Sequence, residues 1–341
     1  MSARARLVPA VVLLAACAAA GPAVAQNKTG TSLGQFLQIE PGARIAAMGN
    51  AGATLGDGLQ AVYFNPAAIG LLETFDVDFT HAEWFAGIAY DHIAAGMPLG
   101  KWGRGYTSIT SLNSGEIDVR TVDQPLGTGE RYTVSDLALA LGWGFEVTDR
   151  VAAGVQVNVL QERIWHSTAS TFTFNIGTLY RAAPNGLRIG ASLTNFGTDA
   201  SFTGRDLAIT YDNDPNRTGD NGTLPGDRST GDYPVPMMFR LGASMPYRFG
   251  NDWKALVACD AAHPSDDSES LSLGGELQYR NLVALRGGYQ NLFLEDAEMG
   301  LTLGAGFRGR LESVNYRLDY GWADQGRLEG THRITLGVTF Q

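Results

Sequence analysis

Cysteine is nearly missing from this 341-residue chain, which has only Cys17 and Cys259. Cys17 lies inside an N-terminal leader, so no disulfide framework is available to hold the fold. A surplus of positive charge is missing too: 25 Lys and Arg stand against 35 Asp and Glu, a net charge of −10. That balance disfavours a nucleic-acid partner. Cys-x-x-Cys, His-Glu-x-x-His and phosphate-loop patterns are absent, and with them the common zinc, redox and nucleotide chemistries. The five histidines, His81, His92, His166, His263 and His332, are scattered over strand ends and loops. Asp260 and His263 offer two ligands, too few for a metal centre, and are expected to form a hydrogen-bonded strand end. The chain therefore reads as a non-enzyme with no cofactor and no metal. Beyond the leader there is no run of ~20 apolar residues, as a membrane-spanning helix needs.

The leader itself is clear. Arg4 and Arg6 precede an apolar stretch from Leu7 to Ala20, and Ala23-Val24-Ala25 forms a small-x-small cleavage site before Gln26. This is the pattern of a secretory signal peptide over residues 1–25. Leu14-Ala15-Ala16-Cys17 also resembles a lipobox, so lipidation of Cys17 stands as the alternative to cleavage after Ala25. Loss of Arg4 and Arg6 with the leader takes the net charge from −10 to −12.

Alternation dominates the rest. In the last strand Ile334, Leu336, Val338 and Phe340 share one face, and Arg333, Thr335, Gly337 and Thr339 share the other. Val314, Tyr316, Leu318, Tyr320 and Trp322 oppose Asn315, Arg317, Asp319 and Gly321 in the same way. Successive side chains of a strand point to opposite sides, so each strand has one apolar face and one small, polar or charged face. A wall between lipid and a wet lumen requires that arrangement. Strands are expected near 75–83, 87–98, 103–112, 132–147, 150–165, 170–182, 186–196, 235–249, 252–263, 269–280, 282–291, 299–309, 313–323 and 331–340. Short turns, at 148–150, 184–186, 250–252, 280–281 and 309–310, alternate with longer connections at 113–131, 197–234, 264–268, 292–298 and 324–330. Outer-membrane barrels show that parity, with short periplasmic turns and longer external loops. The fold class is thus all-β, a transmembrane antiparallel β-barrel of about 14 strands over residues 74–341. Trp84, Trp102, Tyr180, Tyr247, Trp253 and Trp322 suit the interfacial girdles, and Cys259 reads as a small wall residue.

Residues 26–73 do not alternate. They are rich in small residues with short helical patches, and outside the barrel they would expose Ile45, Met48, Leu59, Phe64 and Leu72 to water. The segment is best placed in the lumen as a plug, with a loose periplasmic arm as the alternative.

Asn65-Pro66-Ala67, within Gln60 to Ile69, resembles the Asn-Pro-Ala hatch motif of FadL-type outer-membrane channels. Gly42-Ala43-Arg44, Met48-Gly49, Ala51 and Asp57 lead up to it as in the narrower PorV/PorQ branch. Asp260, His263-Pro264-Ser265-Asp266, Gly275-Glu276 and Leu285-Arg286-Gly287-Gly288-Tyr289 are similar to that branch as well. The resemblance covers essentially the whole mature chain. It implies a fourteen-stranded barrel of the Gram-negative outer membrane, with Asn65, Pro66 and Ala67 as hatch residues that gate the lumen or simply pack in it. A proline there rigidifies a turn. PorV members bind exported cargo in type IX secretion and pass it to a surface attachment complex, whereas FadL members pass hydrophobic small molecules inward. The first function, protein export and surface attachment, is the leading expectation from the resemblance. A hydrophobic-molecule channel and a structural surface barrel with a closed lumen are the alternatives. Outer-membrane lipid is a partner in all three.

Two further features need placing. Arg188, Glu276, Arg286, Arg308, Arg317, Asp319 and Arg333 face inward and would form either a selectivity lining or mutual salt bridges, possibly including the plug. Opposite charges cluster in neighbouring strands and unpaired buried charge is costly, which favours the salt bridges. The connection 197–234 carries Asp199, Asp206, Asp212, Asp214, Asp220, Asp227 and Asp232. Pro215 and Arg217 spoil a calcium-loop spacing, so it reads as a solvated loop where a partner would dock.

Overall fold

The computed structural model describes residues 30–340 apart from 184–185, 215, 217–218, 220–222, 295–296 and 298. The expected leader with Cys17 and Ala25, residues 26–29, Pro184 and Asn185 of an expected turn, and Pro215, Arg217, Asp220 and Gln341 lie outside the described residues.

Fourteen strands close into one antiparallel barrel. They are β1 Phe75–Glu83, β2 Ala89–Pro98, β3 Arg104–Asn113, β4 Val134–Thr148, β5 Val151–Ile164, β6 Ser167–Arg181 and β7 Arg188–Gly197. The second half is β8 Met238–Phe249, β9 Trp253–Pro264, β10 Ser270–Tyr279, β11 Val283–Leu292, β12 Leu301–Leu311, β13 Val314–Asp324 and β14 Gly330–Phe340. Each pairs with its sequence neighbour, and β14 closes on β1 in a register running from Phe75 opposite Phe340 to Glu83 opposite His332. Cys259 sits on β9 opposite Ala243 and Leu273.

The period-two pattern sets the two faces. Ile334, Leu336 and Phe340 are exposed on the outer surface while Arg333 and Thr335 are fully buried inside. Leu139, Leu141, Trp143 and Phe145 repeat the pattern on β4, with Ala138 and Ala140 turned inward. The outer face is an apolar band fit for lipid. Tyr180, Tyr247 and Trp253 are exposed at the end of the barrel where β1 begins and β14 finishes, as a girdle requires. Trp84 departs from the expectation. It lines a lumen cavity, and the Arg333 guanidinium stacks 5.0 Å from its ring.

The connections at the end where β14 finishes are tight, for example at 149–150 and 312–313. At the other end two long connections stand out, 114–133 and 198–237, each carrying a small hairpin of its own. The link between β5 and β6, also at that end, is only Trp165 and His166. The length parity fails there for a physical reason. β5 and β6 run 14 and 15 residues, beyond the ~9–11 that cross a bilayer, so the hairpin extends past the membrane and needs no loop.

Residues 30–73 fill the lumen. Two four-residue helices, α1 Ala43–Ala46 and α2 Ala61–Phe64, and the 3₁₀ turn Pro66–Leu71 make up its compact part. Helices this short do not persist alone in water; burial holds them. Ile45, Met48, Leu55, Leu59, Phe64 and Ile69 have at most 1 % of their surface exposed and share one cluster with Ala94, Tyr106 and Ala140 of the wall.

Candidate functional site

The hatch is seated by wall glycines. A Cβ on Gly154 of β5 would lie 2.0 Å from Pro66 O, one on Gly177 of β6 2.0 Å from Asn65 Oδ1, and one on Gly190 of β7 2.2 Å from Ala53 O. Across the barrel, Gly274 of β10 and Gly288 of β11 meet the backbone of Met48 and Gly49 at 2.1 and 2.3 Å. No other residue allows so close an approach of two backbones.

Asn65 is the joint of this seat. Its φ of −153° breaks the chain out of α2, and Pro66 starts the next turn with its φ already fixed. The side chain is fully buried and uses both ends. Nδ2 donates to Ala53 O at 2.7 Å and to Thr178 O of β6 at 2.9 Å, while Oδ1 accepts from Ala67 N at 3.0 Å. Asn65 thus binds two stretches of the hatch to each other and to the wall. Pro66 and Ala67 pack behind it, both buried.

The opposite wall holds the hatch by charge. Arg44 of α1 meets Glu276 of β10 at 2.9 Å and Asp57 at 2.8 Å. Glu276 also meets Arg286 of β11 at 2.6 Å, Arg286 meets Asp319 of β13 at 2.8 Å, and Asp319 meets Arg317 at 2.7 Å. Arg317 ends the chain on Asp78 of β1 at 2.7 Å. Burial disfavours the Arg44 charge, but Asp57 and Glu276 outweigh it and hold its pKa well above the ordinary arginine value. Space for the cluster comes from Gly306 and Gly337, where a Cβ would fall 2.5 Å from Asp319 Oδ1 and 2.6 Å from Asp78 Oδ1. Nearer the loop end, Arg333 pairs with Glu40 of the hatch at 2.7 Å.

The inward-facing residues singled out from sequence therefore separate into two groups. Arg286, Arg317, Asp319 and Arg333 are absorbed in ion pairs, two of which bridge to the hatch directly or through Glu276. Arg308 and Arg188 instead line a cavity of about 290 Å³ at the tight-turn end, together with Arg44 and Asp57. Glu40, Asp57 and Asp78 complete the network, and sequence reasoning did not assign them to it. Asp78 was the most accessible of the three, since it shares the inward face of β1 with Thr80.

Three other features resolve. Asp260 faces the hatch and accepts from Ala53 N at 2.6 Å, while His263 is exposed and pairs with Glu269 at 3.0 Å. Their odd spacing on one strand puts them on opposite faces, which prevents a shared metal. Among the described residues no group of three or more His, Cys, Asp or Glu is gathered as a metal site would need. Gly30-Thr-Ser-Leu-Gly34 has the spelling of a nucleophile elbow, but it lies in turns and bends and Ser32 Oγ donates to Asp266 at 3.2 Å.

The hatch leaves cavities on both sides. Toward the loop end lies one of about 260 Å³, lined by Tyr63, Phe64, Trp84, Arg240, Asp260 and Gln290 among others. Burial pushes the Tyr63 hydroxyl up to about 12, so it stays protonated and donates to Leu37 O at 2.9 Å. Among the outer loops, Ile117, Tyr132, Ile164, Trp165, Phe202 and Leu207 line a larger, open and mainly apolar cavity of about 830 Å³.

The chain matches no protein-family model and no curated protein. Among solved structures it is similar to the toluene transporter TodX of Pseudomonas putida, at 14 % identity and a TM-score of 0.56, over 88 % of this chain and 97 % of that one. The toluene transporter TbuX of Ralstonia pickettii is similar at 14 % identity and 0.53, over 89 % and 98 %. A FadL homologue of Pseudomonas aeruginosa is similar at 10 % identity and 0.52, over 87 % and 97 %. The fold is that of FadL-like outer-membrane barrels.

Proposed function

We propose that this protein is a hatch-closed channel of the Gram-negative outer membrane that admits small hydrophobic molecules, and that it is not an enzyme. The observation that carries the reading is the docked hatch, which separates a lumen cavity and an apolar outer-loop cavity from the polar cavities at the other mouth. An apolar catchment outside and a movable plug inside suit passage of a molecule that lipopolysaccharide would otherwise exclude. Transport of toluene by two of the structural neighbours supports the same class of passenger.

The export reading is weakened by where its motif residues lie. Arg44, Glu276 and Arg286 form the hatch latch, Met48 and Gly49 pack against Gly288, and Asp260 holds Ala53. In this chain, then, residues that carry the resemblance to the PorV/PorQ branch seat the hatch. The test is uptake of labelled toluene by Gram-negative cells that lack a hydrocarbon channel, with and without this protein. Faster uptake with the protein supports the channel. Equal uptake, together with a surface attachment partner co-purifying in mild detergent, would return the export reading to first place.

A further inference from the structure

The cavity above the hatch carries a polar pair that the folded chain leaves half used. Asn50 Nδ2 donates to Gln290 Oε1 at 2.7 Å, but among the described residues Asn50 Oδ1 and Gln290 Nε2, both buried, have no hydrogen-bond partner. Both residues line the cavity, and Gln290 is only 2 % exposed. Exchanging O and N in both amides preserves their mutual bond and again leaves one acceptor and one donor, so the conclusion does not depend on how the amides are assigned. Asn50 is held in the left-handed region at φ 64°, which fixes its side chain over β11. Leaving buried amide groups unsatisfied is destabilising, and a ligand would remove that cost.

We infer that this pair is a recognition point for a neutral head group that both donates and accepts a hydrogen bond, a primary amide or an alcohol, carried on an aromatic ring. The ligand would donate to Asn50 Oδ1 and accept from Gln290 Nε2. Its ring would lie against the aromatic part of the lining, where Tyr63, Phe64 and Trp84 face the cavity. Charge narrows the class further. Asp260 and Asp267 line the same cavity, and Glu40 is already neutralised by Arg333. Arg240 is the cation left on the lining; it lies 5.3 and 5.5 Å from the Tyr63 and Phe64 rings and donates to Thr194 Oγ1. A carboxylate would enter an acidic site and lose the donor role, so aromatic amides and alcohols are favoured over aromatic acids. The inference rests on the channel reading and names the passenger class.

The test is equilibrium dialysis of labelled benzamide, benzyl alcohol, toluene and benzoate against the full chain in detergent, with empty micelles as blank. Two added hydrogen bonds predict that benzamide binds at least tenfold more tightly than toluene or benzoate. Gln290→Met removes the donor at nearly constant volume and should weaken benzamide about tenfold while leaving toluene unchanged. Asn50→Gly keeps the left-handed backbone and should do the same, and heat-modifiable migration verifies that both variants fold. Benzamide binding within threefold of toluene, or unchanged in both variants, overturns the inference while the channel reading stands. Binding of none of the four above the blank overturns both.

Discussion

Replacing Asn65 by Ala should free the hatch without unfolding the barrel. The side chain is fully buried and makes three hydrogen bonds, to Ala53 O, Thr178 O and Ala67 N. Each neutral bond contributes about 1 kcal/mol net, and a buried carbonyl left without its donor adds to the loss. Roughly 3 kcal/mol is therefore removed from the docked state, a shift of ~150-fold in the ratio of docked to undocked hatch at about 0.59 kcal/mol per RT. The strand ladders are untouched, because Asn65 contributes no barrel hydrogen bond beyond its second-donor contact at Thr178. Amide hydrogen exchange read by mass spectrometry checks this. Peptides spanning 43–72 should exchange on the order of 100-fold faster, while peptides of β10 to β14 keep the wild-type rate. Hatch exchange within threefold of wild type would refute the reasoning. Asn65→Asp should be worse than Ala, since it points a carboxylate at two carbonyl oxygens.

Other perturbations separate the parts of the site. Glu276→Gln leaves Arg44 and Arg286 facing an amide, and breaking a buried pair on one side costs about 3–5 kcal/mol; a lower urea midpoint for hatch release checks it. Gly274→Ala pushes a methyl group toward Met48 O, 2.1 Å away, and overpacking of about 1–3 kcal/mol should lift α1 from the wall and raise single-channel conductance in planar bilayers. Trp165→Ala with Phe202→Ala removes two walls of the outer apolar cavity. That pair should slow toluene uptake several-fold while hatch exchange stays at the wild-type rate.

The barrel was legible because its signal is local. A strand with lipid on one side and a wet or packed lumen on the other must alternate, so Leu137 to Val147 and Ile334 to Phe340 declare their faces without reference to the rest of the chain. All fourteen strands fall within three residues of their expected ends. The plug was legible from a mismatch, since Ile45, Met48 and Phe64 belong to no alternating strand and need shelter. What joins plug to wall was not. Arg44 and Glu276 are 232 residues apart, and Asn50 and Gln290 are 240 apart; nothing within either segment encodes that they meet. Trp84 illustrates the same limit. Its position beside a strand end suits a lipid interface, yet Arg333 on the neighbouring β14 draws it inward. The inward glycines gave the best long-range hint, because a wall position without a side chain implies something close against it, as Pro66 is against Gly154.

The central claim is that the hatch closes a path for small hydrophobic molecules. The most direct measurement compares initial toluene uptake in cells carrying no channel, the wild-type protein and the Glu276→Gln variant at equal surface amounts. The account predicts that uptake rises from the first to the second and again to the third, because the latch on Arg44 and Arg286 limits opening. Equal rates in all three would contradict it.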